Sequence, residues 1–184
     1  MSDTAISALA TATAPADADY LVLVQSGVTK KIPYSTLIRP SAYPAFLAHN
    51  SVTDNNVTGN YTVVTVNFDT EIFDQGNNFS GDTFTAPVTG RYRFSTAINY
   101  TGIVNGTEFY AYLFTSNRNY QLDYKFTAAI SGNYVCNGSV LVDMDAGDTA
   151  VVKARVGGVG ADTVDVYGDT SSQLYTFFSG ELVC

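Results

Sequence analysis

The apolar and polar positions along the chain alternate with a period of two, which predicts antiparallel β-strands that each bury one face. In residues 91–100, for example, Tyr92, Phe94 and Ile98 share one face, while charged and polar side chains share the other. Turn-forming glycines and aspartates separate such runs, and this succession predicts an all-β sandwich or barrel. The predicted strands of the larger part of the chain are 45–49, 61–68, 79–84, 91–100, 109–115, 121–126, 137–143, 149–156, 163–166 and 174–182.

Two of the predicted strands, in 109–114 and 174–182, are apolar on both faces. A two-layer sandwich covers only one face of each sheet, so the second apolar face requires another cover. The residues of this second face are Tyr110, Tyr112, Phe114, Tyr175 and Phe177. We predict that these five aromatic residues line a subunit interface. The alternative is that loops or the N-terminal hairpin cover them within one chain.

The first forty residues have a separate pattern. The apolar run 20–24 and a more polar return strand, 28–32, flank the turn residues Gln25, Ser26 and Gly27, which predicts a β-hairpin. An isolated hairpin of this size is at best marginally stable in water and needs a partner. We therefore divide the chain into an N-terminal segment, 1–40, and a larger domain, 41–184.

The N-terminal segment resembles the attachment segment that is common in phage tail-fibre and related virion proteins. The residues that carry the resemblance are Ile6-Ser7-Ala8-Leu9, Ala16-Asp17-Ala18-Asp19, the apolar strand, Gly27, Thr29-Lys30-Lys31 and Ser35-Thr36-Leu37. The resemblance implies that this segment docks to another virion protein. The residues expected to make that contact are Asp19, Leu21, Leu23, Lys30, Lys31 and Leu37. The alternative interpretation is a generic β-hairpin lead-in without this role.

Composition and charge exclude several classes of function. The 184-residue chain has a formal net charge of −8 at pH 7, so it would repel the phosphates of a nucleic acid. Cys136 and Cys184 are the only cysteines and match neither a disulfide framework nor a zinc site, so we expect both to be free. Residues 1–20 lack the basic and apolar regions of a secretion signal, and no apolar run could span a bilayer. We expect neither nucleic-acid binding nor membrane insertion.

Residues 43–184 resemble the complement C1q-like family, which is related to the tumour-necrosis-factor fold. The motifs, in order, are Pro44-Ala45-Phe46, Val66-Asn67-Phe68-Asp69, the run 84–94 with its Phe-Thr-Ala-Pro-x-x-Gly-x-Tyr-x-Phe element, the run 146–151 and the run 177–182. The resemblance implies an antiparallel jelly-roll sandwich of ten strands, assembled as a homotrimer around an axis of aromatic and aliphatic residues. It also implies recognition and assembly, not catalysis. The chain departs from the family in carrying no collagen-like repeat and in having Glu181 where an apolar residue is commoner, so the partners of the animal proteins are in doubt.

Few residues suit catalysis or metal binding. His49 is the only histidine, which leaves any nucleophilic triad a single candidate base and excludes a multi-histidine metal site. We expect three acidic residues near one turn either to form that turn or to bind Ca²⁺ with help from one or another of three further carboxylates, as some C1q-like trimers bind calcium. The first three are Asp143, Asp145 and Asp148, and the further three are Asp162, Asp165 and Asp169. We expect no enzyme, no required cofactor, and Ca²⁺ as the candidate ion.

These expectations combine into one function. We expect a trimeric fibre or knob on a phage-like virion, which docks by its N-terminal segment to a capsid or tail protein and binds a host surface glycan or protein with its head. The segments 54–56, 102–107, 117–119 and 157–162 are expected to be polar loops, which suit carbohydrate contact or passive exposure to solvent. Two alternatives stay open, a capsid decoration protein that reinforces the shell and a cellular C1q-like binding module.

Overall fold

The computed structural model describes residues 20–33, 43–171 and 173–184. The chain divides into two compact units, Met1–Pro40 and Ser41–Cys184. Within the described residues the strands are β1 Tyr20–Gln25, β2 Val28–Pro33, β3 Ala45–His49, β4 Asp54–Thr58, β5 Val63–Thr65, β6 Thr70–Gln75, β7 Phe79–Ser80, β8 Thr83–Thr85, β9 Gly90–Thr115, β10 Asn119–Met144, β11 Thr149–Gly157, β12 Val164–Val166 and β13 Phe177–Leu182. Over these same residues, no helix is both long enough and apolar enough to cross a membrane.

The first unit contains the predicted hairpin. Strands β1 and β2 pair antiparallel, with Leu21 opposite Ile32. Ser26 and Gly27 connect them and both have positive φ, 54° and 76°, as a two-residue hairpin turn of type I′ requires. Most of the apolar side chains of the hairpin are exposed, so it buries little surface within its own unit. The exposed apolar residues are Tyr20, Leu21, Val22, Val24 and Val28.

The second unit is a sandwich made from one continuous sheet that passes through two layers. In sheet 1 the strand order is β6-β3-β13-β9-β10, and in sheet 2 it is β7-β8-β11-β9-β10, with β5 also paired to β11. Strands β9 and β10 belong to both layers because each is 26 residues long. The first half of β9 pairs with the second half of β10 in sheet 1, and the remaining halves pair in sheet 2.

The two long strands replace four shorter ones that the sequence pattern predicts. Each long strand changes layer at a region of irregular backbone, where Gly102 and Gly132 have φ of 67° and 108°. The register between β9 and β10 shifts repeatedly between Phe126 and Tyr134. Residues with a Cβ rarely adopt such φ values, so glycine at these positions permits the bend without interrupting the pairing. Segment 102–107, expected to be a loop, therefore lies inside β9.

Two strands of the structure, β4 and β6, were not predicted from the sequence. Strand β4 consists of Asp, Asn, Val and Thr, and it forms because β12 pairs with it. Strand β6 pairs with β3 at one edge of sheet 1 and leaves most of its side chains exposed or half-buried. Neither strand has the regular alternation on which prediction depends. Segment 54–56, also expected to be a loop, thus belongs to β4.

The core lies between the two sheets and combines a cluster of aromatic side chains with smaller aliphatic ones. Phe46 stacks on Phe79 and Phe84 with ring centroids 4.7 and 5.2 Å apart, and it meets Phe178 edge-on at 4.9 Å. Phe94 packs against Phe84 and Phe178. The inward face predicted for 91–100 is buried, which confirms the alternation there, and the alternate apolar positions of the predicted strand 149–156 are buried as well. Those inward residues are Tyr92, Phe94, Ile98, Tyr100, Ala150, Val152, Ala154 and Val156.

Candidate binding surfaces

The five aromatic residues predicted to line an interface lie on two separate surfaces. Tyr110, Tyr112 and Phe114 project from the second half of β9 onto the outer face of sheet 2, opposite the buried core residues of the same strand. Phe177 projects from β13 onto the outer face of sheet 1. Tyr175 precedes β13 and packs edge-on against Tyr167, with centroids 5.3 Å apart. The structure brings the first three together and places the other two elsewhere.

Neighbours within the same chain cover Tyr110. Its ring stacks on Tyr124 and Tyr112 at centroid distances of 4.6 and 5.4 Å, and only 9% of the residue is exposed. The guanidinium carbon of Arg155 lies 4.6 Å from its ring centroid, within the range of a cation–π interaction. Strand residues of the same chain thus cover Tyr110, and neither a loop nor the N-terminal hairpin supplies these contacts. Tyr112 and Phe114 are half-buried, and their assignment to an interface stays a prediction.

Glu108 lies beside this aromatic cluster and binds two of its tyrosines. The hydroxyl of Tyr61 donates to Glu108 Oε1 at 2.8 Å, and the hydroxyl of Tyr110 donates to Oε2. The hydrogen bonds from Tyr110 and Tyr61 lower the pKa of Glu108, because they stabilise the ionised carboxylate. Burial and the bond to Glu108 raise the pKa of Tyr110 above its ordinary value. The carboxylate thus holds two rings in place on the outer face of sheet 2.

The lowered carboxylate pKa values predict loss of stability in acid. Hydrogen bonds from Thr62 and the backbone of Asn60 lower the pKa of Asp162, as those from the tyrosines do for Glu108. Such a group binds fewer protons folded than unfolded, so its stabilisation is present above the unfolded-state pKa and is lost as pH falls through the folded-state pKa. We therefore expect the melting temperature to decrease once the pH is lowered past about 4.5, which is the ordinary pKa of a glutamate side chain.

Circular dichroism melts between about pH 7 and about pH 3 measure this dependence. Glu108→Gln is expected to flatten the acid side of the curve, because that variant no longer gains a proton there. Glu71→Gln, the same change at an exposed position of β6, is the matched control. A melting temperature that rises on acidification, or equal slopes for the two variants, contradicts the prediction.

An open cleft of about 320 Å³ adjoins the cluster on the outer face of sheet 2. It lies where β9, the start of β10 and β11 run side by side. Its main lining residues are Tyr112, Phe114, Asn119, Tyr120, Gln121 and Arg155. Of these, Tyr112 and Phe114 were expected at an interface and Asn119 in a loop. Arg155 was not selected from the sequence, where it is only one of the polar positions of an alternating strand.

The outer face of sheet 1 has a different character, because most of its central side chains are short. The register places Ser139, Ser95, Ser179 and Leu47 side by side across four strands. We call the residues Leu47, Ser95, Ala97, Phe177 and Ser179 the small-residue face. All five are half-buried, and a depression of about 220 Å³ opens beside Ser95 and Ser179. Another backbone could approach such a face closely.

Glu181, which departs from the family pattern, lies at the margin of the small-residue face. Its carboxylate forms an ion pair with Arg93, with 3.6 Å between Oε1 and Nη1. Both side chains are more than half exposed, so the pair contributes little to stability. The polar substitution is therefore accommodated at the surface and leaves the core unchanged.

Strand β10 forms the last strand of both sheets. In the described part of the chain it pairs with β9 alone, so its second edge is free. Four large apolar side chains on this strand are exposed, and we call them the β10 edge: Tyr124 (42%), Phe126 (67%), Val135 (45%) and Leu141 (50%). None was selected from the sequence. The exposure of Leu141 could have been predicted from the unbroken apolar run 140–142. Successive side chains of a strand point to opposite faces, so Leu141 cannot share a buried face with residues 140 and 142.

The acidic turn does not form a metal site. Asp143 forms an ion pair with Arg118 at 3.3 Å. The carboxylate of Asp148 accepts hydrogen bonds from the side chain of Asn117 at 2.6 Å and from the backbone of Asp145 at 2.8 Å. Within the described ranges, no group of three acidic, histidine or cysteine side chains is placed to hold an ion. The residues therefore do not fit Ca²⁺, and they support turn formation, the other alternative.

The three further carboxylates considered for Ca²⁺ also accept backbone hydrogen bonds. Asp162 accepts one from the N–H of Asn60 at 2.8 Å, and Asp165 accepts one from the N–H of Asn56 at 2.7 Å. Asp169 accepts one from the N–H of Ser171 at 2.8 Å. Each carboxylate stabilises a loop or a strand end.

The residues considered for catalysis lie apart. His49 ends β3, is 5% exposed, and its buried Nδ1 has no hydrogen-bond partner within the described residues. Cys136 is buried and free, and burial raises the pKa of its thiol, which makes it unreactive. Cys184 is exposed and free, so the expectation of two free cysteines is confirmed.

The residues proposed for virion attachment lie partly in the described hairpin. The register places Leu21, Leu23 and Lys30 on one face of the hairpin and Lys31, beside Val22, on the other. The ammonium group of Lys31 lies 4.5 Å from the ring centroid of Tyr20. Asp19 and Leu37, the other two residues of this prediction, lie outside the described residues.

Comparison with known proteins matches the larger unit. The C1q domain profile matches residues 45–183. The globular domain of the zebrafish complement 1qA protein superposes with a TM-score of 0.55 at 19% identity, covering 77% of this chain and 98% of that one. Murine APRIL at pH 5.0 superposes with a TM-score of 0.50 at 14% identity, covering 77% and 99%. A search of curated protein sequences finds no match. The sandwich is thus a jelly roll of the predicted C1q/TNF-like class.

Proposed function

Because the chain belongs to the C1q domain family, we propose that it is a homotrimeric binding module of a phage-like virion, which docks by its N-terminal hairpin and presents the jelly roll to a host surface. Family membership supports a trimeric binding module in general. The observation that carries the finer proposal is the hairpin, which is a compact unit of its own and leaves its apolar side chains exposed.

The trimer uses two different surfaces of the jelly roll. A closed threefold ring is a heterologous assembly, in which one patch of each subunit meets a different patch of the next. The β10 edge supplies large apolar side chains that protrude, and the small-residue face supplies short side chains with a depression between them. These shapes are complementary, and their contact removes apolar surface from water, which favours association.

This arrangement uses only part of the interface predicted from the sequence. Phe177 belongs to the small-residue face and therefore to the proposed contact. Tyr110 is already covered by Tyr124 and Arg155, so it has little surface left to offer a second subunit. Tyr112 and Phe114 lie on the outer face of sheet 2, on the same face as Tyr124 of the β10 edge, and their assignment to an interface stays a prediction.

The hairpin is the docking element in this proposal. Its two strands form a sheet of their own, and apolar residues are exposed on both faces. Isolated two-stranded hairpins are marginal in water, so a partner protein that covers these side chains would stabilise the hairpin. The two lysines, Lys30 and Lys31, add positive charge to a chain whose net charge is −8. A partner with an apolar, acidic groove fits this surface.

Incorporation into virus particles tests the virion role. We expect the chain in purified virions of the virus that encodes it, and we expect Leu21→Asp with Leu23→Asp to abolish its incorporation. Val104→Asp, at an exposed position of the head, is the control and should still be incorporated. Absence of the wild-type chain from purified particles overturns the virion role. Electron microscopy of labelled particles then separates a fibre at the tail from a decoration protein spread over the shell.

A further inference from the structure

We propose that the cleft on the outer face of sheet 2 binds an acidic saccharide, with aromatic rings against the sugar and Arg155 facing its carboxylate. The inference names a ligand for the binding role proposed above and rests on it. It places the ligand on a sheet face, away from the loop segments that the sequence suggested for carbohydrate contact.

The lining of the cleft has the chemistry that a pyranose ring requires. Tyr112 and Phe114 stand side by side with centroids 5.9 Å apart, whereas the neighbouring Tyr120 packs against the core. Rings exposed in this way present apolar faces to the C–H groups of a sugar. Asn119 and Gln121 carry amides that both donate and accept hydrogen bonds, as sugar hydroxyls do. A volume of about 320 Å³ falls in the range of small-molecule sites.

The charge of the cleft favours a carboxylate. In the described part of the chain, Arg155 forms no ion pair, and its buried Nε has no hydrogen-bond partner. Both oxygens of Glu108 on the same sheet face are bound by Tyr61 and Tyr110. Lys153, opposite Tyr112 in the register, donates to Thr65. Two of the nine lysine and arginine residues of an acidic chain, Lys153 and Arg155, thus lie beside the half-buried ring of Tyr112.

These observations favour an acidic sugar over a neutral one or a peptide strand. The guanidinium of Arg155 lies over the rings of Tyr61 and Tyr110 but forms no ion pair within the described residues, so it gains from a planar carboxylate, which a guanidinium binds through hydrogen bonds. A neutral sugar would leave that capacity unused. An added peptide strand would pair with the free edge of β10, whereas Arg155 lies on β11, which is paired on both sides and offers such a strand no backbone edge.

Calorimetric titration of the full chain with trigalacturonate, and with neutral galactotriose as the matched ligand, tests the inference. We expect the acidic trisaccharide to bind at least about tenfold more tightly than the neutral one, since the carboxylates are the only charged difference. Arg155→Gln should weaken binding about tenfold or more, and Arg155→Lys should restore part of the loss. Gln121→Ala, at an exposed position, tests the site without disturbing packing.

Lys30→Gln is the charge-matched control, because it removes one cation from the other compact unit and should leave binding unchanged. Equal binding of the two trisaccharides, no binding by folded wild-type chain, or a folded Arg155→Gln variant of unchanged affinity overturns the inference. Sedimentation of the same samples separates this failure from failure of the proposed function. If the chain is a trimer that binds no saccharide, only the inference about the ligand fails. If the chain is a monomer, the proposed trimeric assembly fails.

Discussion

Replacing Phe126 and Leu141 by aspartate is expected to convert the trimer into single chains that remain folded. Both side chains are at least half exposed in one chain and belong to the β10 edge, so the change leaves the core intact. In the proposed ring they lie against the small-residue face of the next subunit, where an unpaired carboxylate loses its hydration. Three such contacts are lost together, because each interface of the ring carries the same residues.

Sedimentation velocity of the double variant and the wild type at equal concentration measures this effect. Val88→Asp introduces the same charge at a similarly exposed apolar residue of a turn, outside both proposed patches, and should remain trimeric. Circular dichroism establishes that each variant is folded. A folded double variant that still sediments as a trimer would show that the β10 edge is not the contact.

Phe178→Ala is expected to cause the largest loss of stability of any single change considered. The side chain is fully buried in the centre of the sandwich. It contacts Phe46, Phe68 and Phe94 with ring centroids 4.9, 5.6 and 5.6 Å away. Truncation removes these contacts and leaves a cavity, which costs about 3–5 kcal/mol of the free energy of unfolding. Losses of this size are a large fraction of a domain's stability.

Urea unfolding followed by circular dichroism measures the loss. Ile72→Ala, a truncation at an exposed position of β6, is the control, and it should change the free energy of unfolding by less than about 0.5 kcal/mol. Both variants are compared with the wild type at the same protein concentration, because assembly makes apparent stability depend on concentration. Equal losses at the two positions would contradict the placement of Phe178 in the core.

Much of the fold could be predicted, because the alternation of apolar and polar residues along a strand indicates which side chains are buried. Tyr92, Phe94 and Ile98 alternate with polar residues, and all three are buried. The bend of β9 at Gly102 could not be read from the same pattern, since a glycine between two runs equally suits a loop. Strand β4 has no apolar periodicity, and its existence depends on pairing with β12, which is distant in sequence.

The candidate surfaces were predicted less completely than the fold. Because strand 109–114 has two apolar faces, the sequence predicted that Tyr110, Tyr112 and Phe114 need a cover outside the core. The alternation of side chains does not identify which residues provide that cover. The cover of Tyr110 comes from Tyr124 and Arg155, on two neighbouring strands whose register only the structure reveals. The β10 edge depends on which strand ends each sheet, and strand order is a property of the tertiary fold.

Light scattering of the purified full chain at micromolar concentration tests most directly whether the chain assembles as a trimer. We expect a particle of three times the 19.7 kDa mass of one chain. A particle with the mass of a single chain at that concentration would contradict this expectation.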